Sequence, residues 1–373
     1  MQDSRNLTKL KQVALVLIIS LALTLISTFQ TSALSLGGQL DLNIDYSRET
    51  DTFDAGGTLG IDLSSWAGDN IHLRTGLNLD FTEDRVTADI DEANLTYFGQ
   101  DVDIVLGWQK ITWGAVDNNS PVDNLNPRDL SDPFSEDNKI SVPAIRAVYF
   151  HSEIDFDLVW QPYAVGWNLP GITAEMPERT IENSVVGIRA GYSAPAFDLA
   201  ASYFRGVAAE PAAIISETGE VEGLEHFREQ VIGAEMVYEY SGVILRTDLA
   251  LAIPEKGEFY PENELRYAAT LESNITPDLL MMLGIQGSNE IDQDSENTAV
   301  VSLNYLYDFY TEISLGFGYG INEGDFIINP EFSRDLADGL DLKIGAYYFN
   351  GEAGPYGQYS DQDQLYLSLS QSF

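Results

Sequence analysis

The chain contains no cysteine and only three histidines among its 373 residues. The lack of cysteine excludes disulfide bonds, thiolate metal sites and a lipid-anchored N-terminal cysteine. Basic residues are also scarce, because 19 Lys and Arg stand against 59 Asp and Glu, for a net charge of −40. Proteins that bind nucleic acids neutralise phosphates with basic patches, so this balance disfavours a nucleic-acid partner.

Long apolar runs are rare as well, and the only one lies near the N-terminus at residues 13–26. Three basic residues precede it and the small residues Thr31-Ser32-Ala33 follow it. This order predicts a secretory signal over residues 1–33, cleaved near Ala33. The alternative is an uncleaved anchor, but the run is shorter than the roughly 20 residues that a membrane helix needs. No later segment reaches that length, so we expect an exported chain without a transmembrane helix.

Instead of long runs, apolar residues occupy every second position through most of the chain. Leu40, Leu42 and Ile44, for example, alternate with Asp41 and Asn43. A period of two predicts strands with one apolar and one polar face. About 18 such strands are predicted, or 16 if two weak ones merge or fail. The weak points are a slip near Glu92-Ala93, typical of a bulge, and the prolines Pro143 and Pro330 inside strands.

The predicted connections alternate between a short and a long set. The long ones are 112–138, 166–183, 206–229, 254–263, 288–296 and 351–361. This alternation predicts an all-β fold: a transmembrane antiparallel up-and-down β-barrel over residues 34–373. Its short turns would be periplasmic, its long loops extracellular, and both termini would lie at the short-turn rim.

Charged residues decide which face of each strand points inward, because lipid does not accept charges and a water-filled lumen does. The predicted lumen-facing charges are Arg74, Asp80, Asp157, Arg189, Glu235, Arg246, Asp248, Arg266, Glu272 and Lys343. A soluble β-sandwich is the alternative, since it shows the same alternation with the charged face outside.

Three features favour the membrane barrel. Aromatic residues recur at strand ends on the apolar face, as interfacial girdles do, and the regular alternation of connection lengths is hard to obtain from a sandwich. The last strand places Leu365, Leu367, Leu369 and Phe373 on one face. That ending resembles the C-terminal signal recognised by the barrel assembly machinery of the outer membrane, which the resemblance implies as a partner.

One segment, residues 107–134, breaks the alternation with tryptophans, prolines, asparagines and aspartates. It contains Gly107, Gln109, Trp113-Gly114, Asp117 and Asn126-Pro127-Arg128-Asp129. With the strand that follows, this element resembles one that recurs in porin-like outer-membrane proteins over about 40 residues. The resemblance implies a long loop at 112–138 that folds inward and narrows a channel, and association of three copies as a homotrimer.

The residues expected at such a constriction come from the loop and its flanking strands. The candidates are Trp108, Lys110, Trp113, Asp117, Asp123, Asn126, Arg128, Asp129, Asp132, Lys139 and Arg146. Opposed acids and bases would set a transverse field that selects solutes by size and charge. The alternative is a purely structural loop, in which Asp and Asn form turns and Trp packs the loop against the wall.

The acidic excess favours passage of cations if the lumen is open. Competing explanations are solvation in a saline habitat, or loosely bound Ca²⁺ at acidic loops. Acids at Asp292, Asp294 and Glu296, or at Asp361 and Asp363, offer the oxygen ligands that Ca²⁺ takes. Neither group has the spacing of a defined motif, so no cofactor or metal is predicted.

The candidate catalytic bases are the three histidines, His72, His151 and His226. The predicted topology places them far apart, and no nucleophile elbow, phosphate-binding loop or metal spacing is present. We therefore predict no enzyme but a passive channel for small hydrophilic solutes in the outer-membrane lipid. The alternatives are a non-conducting scaffold or export component and, less favoured, an outer-membrane hydrolase.

Overall fold

The computed structural model describes residues 34–82, 85–117, 119–131, 138–169, 171–215, 221–255, 262–290 and 296–373. The predicted signal segment 1–33 lies outside them, as do Asp132, Asp292 and Asp294. Among the described residues, no helix is long and apolar enough to cross a membrane.

Eighteen strands form one antiparallel sheet in which each strand pairs with its neighbours along the chain. The strands are β1 (Leu34–Ser47), β2 (Thr52–Ala67), β3 (Ile71–Thr82), β4 (Val86–Phe98), β5 (Val102–Gln109), β6 (Val142–His151), β7 (Ile154–Gln161), β8 (Val185–Ser193), β9 (Phe197–Val207), β12 (Arg228–Tyr240), β13 (Val243–Pro254), β14 (Glu264–Thr276), β15 (Leu279–Glu290), β16 (Glu296–Asp308), β17 (Thr311–Gly320), β18 (Phe326–Ala337), β19 (Leu340–Asn350) and β20 (Gln364–Ser372), while the loop hairpin between β9 and β12 supplies β10 (Ala212–Ile215) and β11 (Val221–Glu225). The last strand pairs with the first, Leu42 lying opposite Leu369, so the sheet closes into a barrel. The predicted all-β barrel of 18 strands is confirmed.

The connections lie on two rims, as the alternation of lengths predicts. At one rim every turn is only two or three residues long, and at the other lie the long loops, at 110–141, 162–184, 208–227, 255–263 and 351–363. The turn at Ser241-Gly242 shows how the short rim is built, because both residues have positive φ, 55° and 81°. Two such residues give a turn whose twist matches that of a hairpin.

The faces of the barrel are distributed as a membrane protein requires. Large apolar side chains such as Ile44, Leu249 and Ile344 are 45–47% exposed on the outer surface. Acids such as Asp157 and Asp248 are enclosed, at 2% and 0% exposure. This is the inverse of a soluble sandwich, and it places the apolar band against lipid.

The weak points predicted from the sequence are tolerated inside the strands. The register between β3 and β4 shifts at Gly76/Leu77 and leaves Asp91 as the extra residue, next to the predicted slip. Pro143 lies opposite Trp108, and Pro330 lies opposite Leu315. Both prolines therefore stay within paired strands.

Phe373 extends the seam between the last and the first strand. Phe373 exchanges two backbone hydrogen bonds with Gly38, at 3.0 and 3.1 Å. A Cβ atom at residue 38 would lie 2.5 Å from the Phe373 ring, so glycine leaves room for the ring at the seam. Leu365 and Leu367 of the predicted assembly signal are exposed on the outer face.

The loop 351–363 contains a single helical turn, α1 (Gly354–Gly357). The carboxylate of Asp325, which is fully buried, accepts the backbone N–H groups of Tyr356 at 2.6 Å and Gly357 at 3.0 Å. This contact ties the 351–363 loop to the segment between β17 and β18.

Candidate functional site

The described residues of the connection between β5 and β6, namely 110–117, 119–131 and 138–141, lie inside the barrel, and this connection is called the inner loop below. Four of its buried apolar side chains belong to one core cluster: Ile111, Trp113, Val122 and Leu125. They pack against inward side chains of six successive strands, namely Val142 and Ala144 of β6, Val159 of β7, Val185 of β8, Phe204 of β9, Val231 of β12, and Ala250 and Ala252 of β13. We call the inward face of these six strands the covered wall.

Two glycines of the covered wall make room for the inner loop. A Cβ at Gly187 would lie 2.7 Å from the Trp113 ring, and a Cβ at Gly233 would lie 2.6 Å from Val122. Such distances are shorter than real Cβ contacts, so any larger residue would displace the loop. Wall and loop are thus matched in shape.

Asp248 of β13 holds the far end of the inner loop. Its carboxylate accepts the N–H of Ala115 at 2.9 and 3.0 Å and the N–H of Val116 at 2.9 Å. The aspartate is fully buried. Burying a carboxylate is costly unless hydrogen bonds compensate it, and the two backbone amides supply them. Because β13 lies far around the barrel from β5, this latch draws the loop along the wall.

Asn126 holds the base of the inner loop. Its Oδ1 accepts the Ile111 N–H at 2.8 Å, and its Nδ2 donates to the carbonyls of Gln109 at 3.2 Å and Ile140 at 2.7 Å. The side chain takes the place of a ladder partner, so β5 ends at Gln109 and β6 begins at Val142. The strands were predicted to reach residues 111 and 139, and this bridging accounts for the difference.

Trp113 also makes a polar contact with the wall. Its Nε1 donates to Oδ2 of Asp157 at 2.9 Å, and Arg146 grips the same carboxylate at 2.7 to 3.0 Å. Arg146 therefore pairs with a neighbouring strand and does not point an unpaired charge into the lumen. The indole joins this ion pair beneath the loop.

Within the loop, Asp123 and Lys139 form an ion pair. The Lys139 ammonium also donates to Thr112 Oγ1 at 2.7 Å. Burial raises the pKa of the Asp123 carboxyl above its usual range, although the Lys139 charge works against the shift. The pair closes the loop on itself.

The other constriction candidates make separate contacts with different parts of the barrel. Trp108 is in β5 on the outward, lipid-facing side and is 36% exposed, so it does not line the lumen. Lys110 pairs with Asp91 at 2.7 Å, and Asp129 accepts Asn168 Nδ2 of the 162–184 loop at 2.9 Å. Asp117 is exposed, and Arg128 reaches Asn119 at 3.5 Å. The described members do not form two opposed rows of charge.

Lumen-facing bases likewise have acidic partners on the wall. Arg189 binds Glu235, Arg246 binds Glu272, Arg266 binds Glu264, and Arg74 binds both Asp62 and Glu92, at distances of 2.6 to 3.1 Å. Each of these four arginines is thus neutralised by a carboxylate of the same wall.

Opposite the covered wall, the inward faces of β18–β20 and β1–β3 form what we call the open wall. The predicted Asp80 and Lys343 lie there, and side chains such as Asp54, Asp62 and Asp80 are exposed. A hollow beside them is lined by Asn43, Asp45, Asp54, Thr58 and Asp80 among others. The uncovered side of the lumen is therefore polar and acidic.

The histidines do not form a catalytic group. His226 is buried in the 208–227 loop, where its Nδ1 bonds to the Ala208 carbonyl at 2.9 Å and burial lowers its pKa. In the described part of the chain, no set of three His, Asp or Glu side chains is arranged to hold a metal ion.

Two features were not found from the sequence. Asp91 forms its ion pair with Lys110 because of the bulge. The slip near Glu92-Ala93 signals this bulge in the sequence, but it does not identify the residue with which Asp91 pairs. Tyr347 and Phe349 point inward beside Tyr366, and the signal for them is the run Tyr347-Tyr348-Phe349, which puts aromatic rings on both faces of β19.

No protein-family model matches the chain, and no curated protein matches it. Solved structures do. They include OccK3 (OpdO) of Pseudomonas aeruginosa (12% identity, TM-score 0.61, 91% of this chain and 95% of that one), the outer membrane protein OpdK of the same organism (9%, 0.61, 91% and 98%) and OccAB4 of Acinetobacter baumannii (10%, 0.59, 92% and 99%). At these identities the similarity shows the fold, which is that of a porin-like outer-membrane barrel.

Proposed function

We propose that this barrel is an outer-membrane channel through which small hydrophilic solutes diffuse, with a preference for cations. The observation that carries the proposal is the one-sided position of the inner loop. The loop packs on the covered wall, while polar side chains of the open wall, such as Asp54 and Asp80, remain exposed to water. A loop that plugged the lumen would be expected to bury both walls.

The preference for cations is supported by the charges that remain after pairing. Arg74, Arg189 and Arg246 are each bound to acids, whereas Asp80 is hydrogen-bonded to the Thr58 hydroxyl. Unneutralised carboxylates along a pore lower the energy of cations and raise that of anions.

The test is the ion selectivity of the refolded barrel in a planar bilayer under a KCl gradient. The wild type should show stable open steps and a reversal potential on the cation side. Replacing the two open-wall acids, Asp54→Asn with Asp80→Asn, should lower the cation-to-anion permeability ratio several-fold, because each charge contributes about 1 kcal/mol in a watery pore.

Asp338→Asn is the matched control, since Asp338 is an exposed acid in the turn between β18 and β19. It should leave the permeability ratio unchanged. A barrel that gives no open steps at any salt concentration would contradict the channel. Open steps with an unchanged ratio in the double variant would contradict the role of the open-wall acids.

A further inference from the structure

Four aromatic rings follow one another along the open wall. Tyr366 of β20 stacks on Tyr347 of β19 with centroids 5.2 Å apart, Tyr347 stacks on Phe349 at 6.4 Å, and Phe349 contacts Tyr359 at 5.7 Å. Tyr359 belongs to the 351–363 loop at the long-loop rim, and Tyr366 lies deeper in the barrel, opposite Gly345. These four rings are called the aromatic file.

The lower end of the aromatic file is held flat against the wall. A Cβ at Gly345 would overlap the Tyr366 ring, so the ring lies over the backbone of β19. Its hydroxyl donates to Glu331 at 2.7 Å and accepts from Asn329 at 3.3 Å. Because the hydroxyl is fixed, the ring keeps its orientation.

The upper end is anchored by the buried Asp325. This carboxylate holds the N–H groups of Tyr356 and Gly357, and the Tyr359 N–H in turn donates to the Tyr356 carbonyl at 3.0 Å. The ring of Tyr359 is thereby carried on a fixed turn. The file is preorganised from the extracellular rim to the interior.

Packing within the aromatic file leaves part of the ring surface exposed. Phe349 is 3% exposed, but Tyr347, Tyr359 and Tyr366 are each partly exposed. The inner loop lies on the covered wall across the lumen, so its buried apolar residues do not cover the file. Partly exposed, aligned rings on a watery wall offer a surface to an apolar solute.

Carboxylates flank the aromatic file on both sides. Asp45 of β1 lies opposite Tyr366, and Asp54 of β2 lies opposite Asp45. On the other side is Glu331, bound to the Tyr366 hydroxyl. Two bases lie near the file: Arg48 is paired with Asp363 at 2.8 Å, and Lys343 lies one inward position deeper than Gly345 on β19, opposite Ser368. A solute that contacts the rings therefore meets mainly negative charge.

We propose that the aromatic file and its flanking carboxylates bind organic cations that carry a flat apolar group, during passage through the lumen. The charge selects the cation, and the rings select the apolar body by stacking and by cation–π attraction. A small inorganic cation would use only the carboxylates. The inference rests on the proposed channel function, because a solute reaches the file through the lumen.

The experiment measures single-channel current while benzyltrimethylammonium is added on the long-loop side. Brief interruptions should appear at a frequency proportional to its concentration. Tetramethylammonium carries the charge without the ring, and benzoate carries the ring with the opposite charge, so both should interrupt the current much less.

The variant that tests the file is Tyr347→Leu, which keeps apolar volume and removes the central ring. Interruptions should shorten about fivefold, the factor that corresponds to one cation–π contact. Tyr348→Leu is the matched control, because Tyr348 is the adjacent residue on the outward face and is 42% exposed. It should leave the interruptions as in the wild type.

The outcomes separate the two proposals. A silent barrel would contradict the channel itself. Open steps without interruptions, or interruptions that tetramethylammonium or benzoate produce equally, would overturn the binding path while leaving the channel intact. Unchanged interruptions in Tyr347→Leu would overturn the role of the rings.

Discussion

The covered wall and the open wall belong to one sheet, and in both of them every second residue points into the lumen. The inward side chains of the two walls nevertheless differ in chemistry. The covered wall carries Val142, Val185 and Ala250 at inward positions, all nearly inaccessible to water. The open wall carries Asp41, Asp80 and other partly or fully exposed polar groups at equivalent positions. The inward face of a barrel is therefore not uniformly polar, because its composition follows what covers it.

The largest change in this difference between the walls is expected from Asp248→Ala, which should release the inner loop from the covered wall. The amides of Ala115 and Val116 would lose their acceptor, and each unsatisfied buried group costs about 1–3 kcal/mol. We expect the loop to leave the covered wall, so that single-channel conductance rises and proteases cleave within residues 110–141. Asp248→Asn keeps one acceptor oxygen and should show a smaller rise. Unchanged conductance and protection in Asp248→Ala would contradict the latch.

A second change acts through shape and should have a smaller effect. Gly187→Val introduces methyl groups where the Trp113 ring lies, and overpacking of this kind costs about 1–3 kcal/mol. We expect the displaced loop to be cleaved by proteases faster than in the wild type. Gly60→Val on the open wall is the control, because its Cβ would meet only Asn78 Oδ1 at 3.4 Å and the Gln39 carbonyl oxygen at 3.8 Å. That valine projects into free lumen and should leave the cleavage rate of the inner loop unchanged. Equal cleavage in both variants would contradict the distinction between the walls.

The smallest expected effect is a pH dependence of loop packing. Burial raises the pKa of Asp123 above its ordinary value of 3.8, against the attraction of Lys139 and Arg128. An acid with a raised pKa favours the packed state most below its ordinary value, and this contribution is lost as pH rises through the raised pKa. Conductance should therefore rise slightly with pH above 3.8 in the wild type. In Asp123→Asn this component should vanish. An identical pH profile in the two proteins would refute the assignment.

The barrel could be predicted because period two is a local signal that each strand repeats. Asp157, Asp248 and Arg189 are inward residues that follow this pattern, and the turn residues Ser241-Gly242 mark the short-turn rim. The ends of the strands at the inner loop could not be predicted. There the side chain of Asn126 takes the place of a backbone hydrogen-bond partner for Ile111, although the two residues are 15 positions apart in the chain. Local patterns do not contain such contacts.

The partners of the site residues were also beyond the sequence. Lys110 pairs with Asp91 only because a bulge shifts the register, and Trp108 faces outward because of strand parity. A usable signal for the covered wall was nevertheless present. In Leu249-Ala250-Leu251-Ala252 both faces are apolar, which is typical of a strand covered on both sides.

The latch at Asp248 has a consequence for the order of assembly. Ala115 and the aspartate that binds it are 133 residues apart in the chain. Contacts of such high sequence separation form late, after the intervening segments have been brought together. The inner loop therefore has no docking place until β6 through β13 are paired side by side. Until then the covered wall stays bare, and the lumen acquires its final shape only in the last stage of folding.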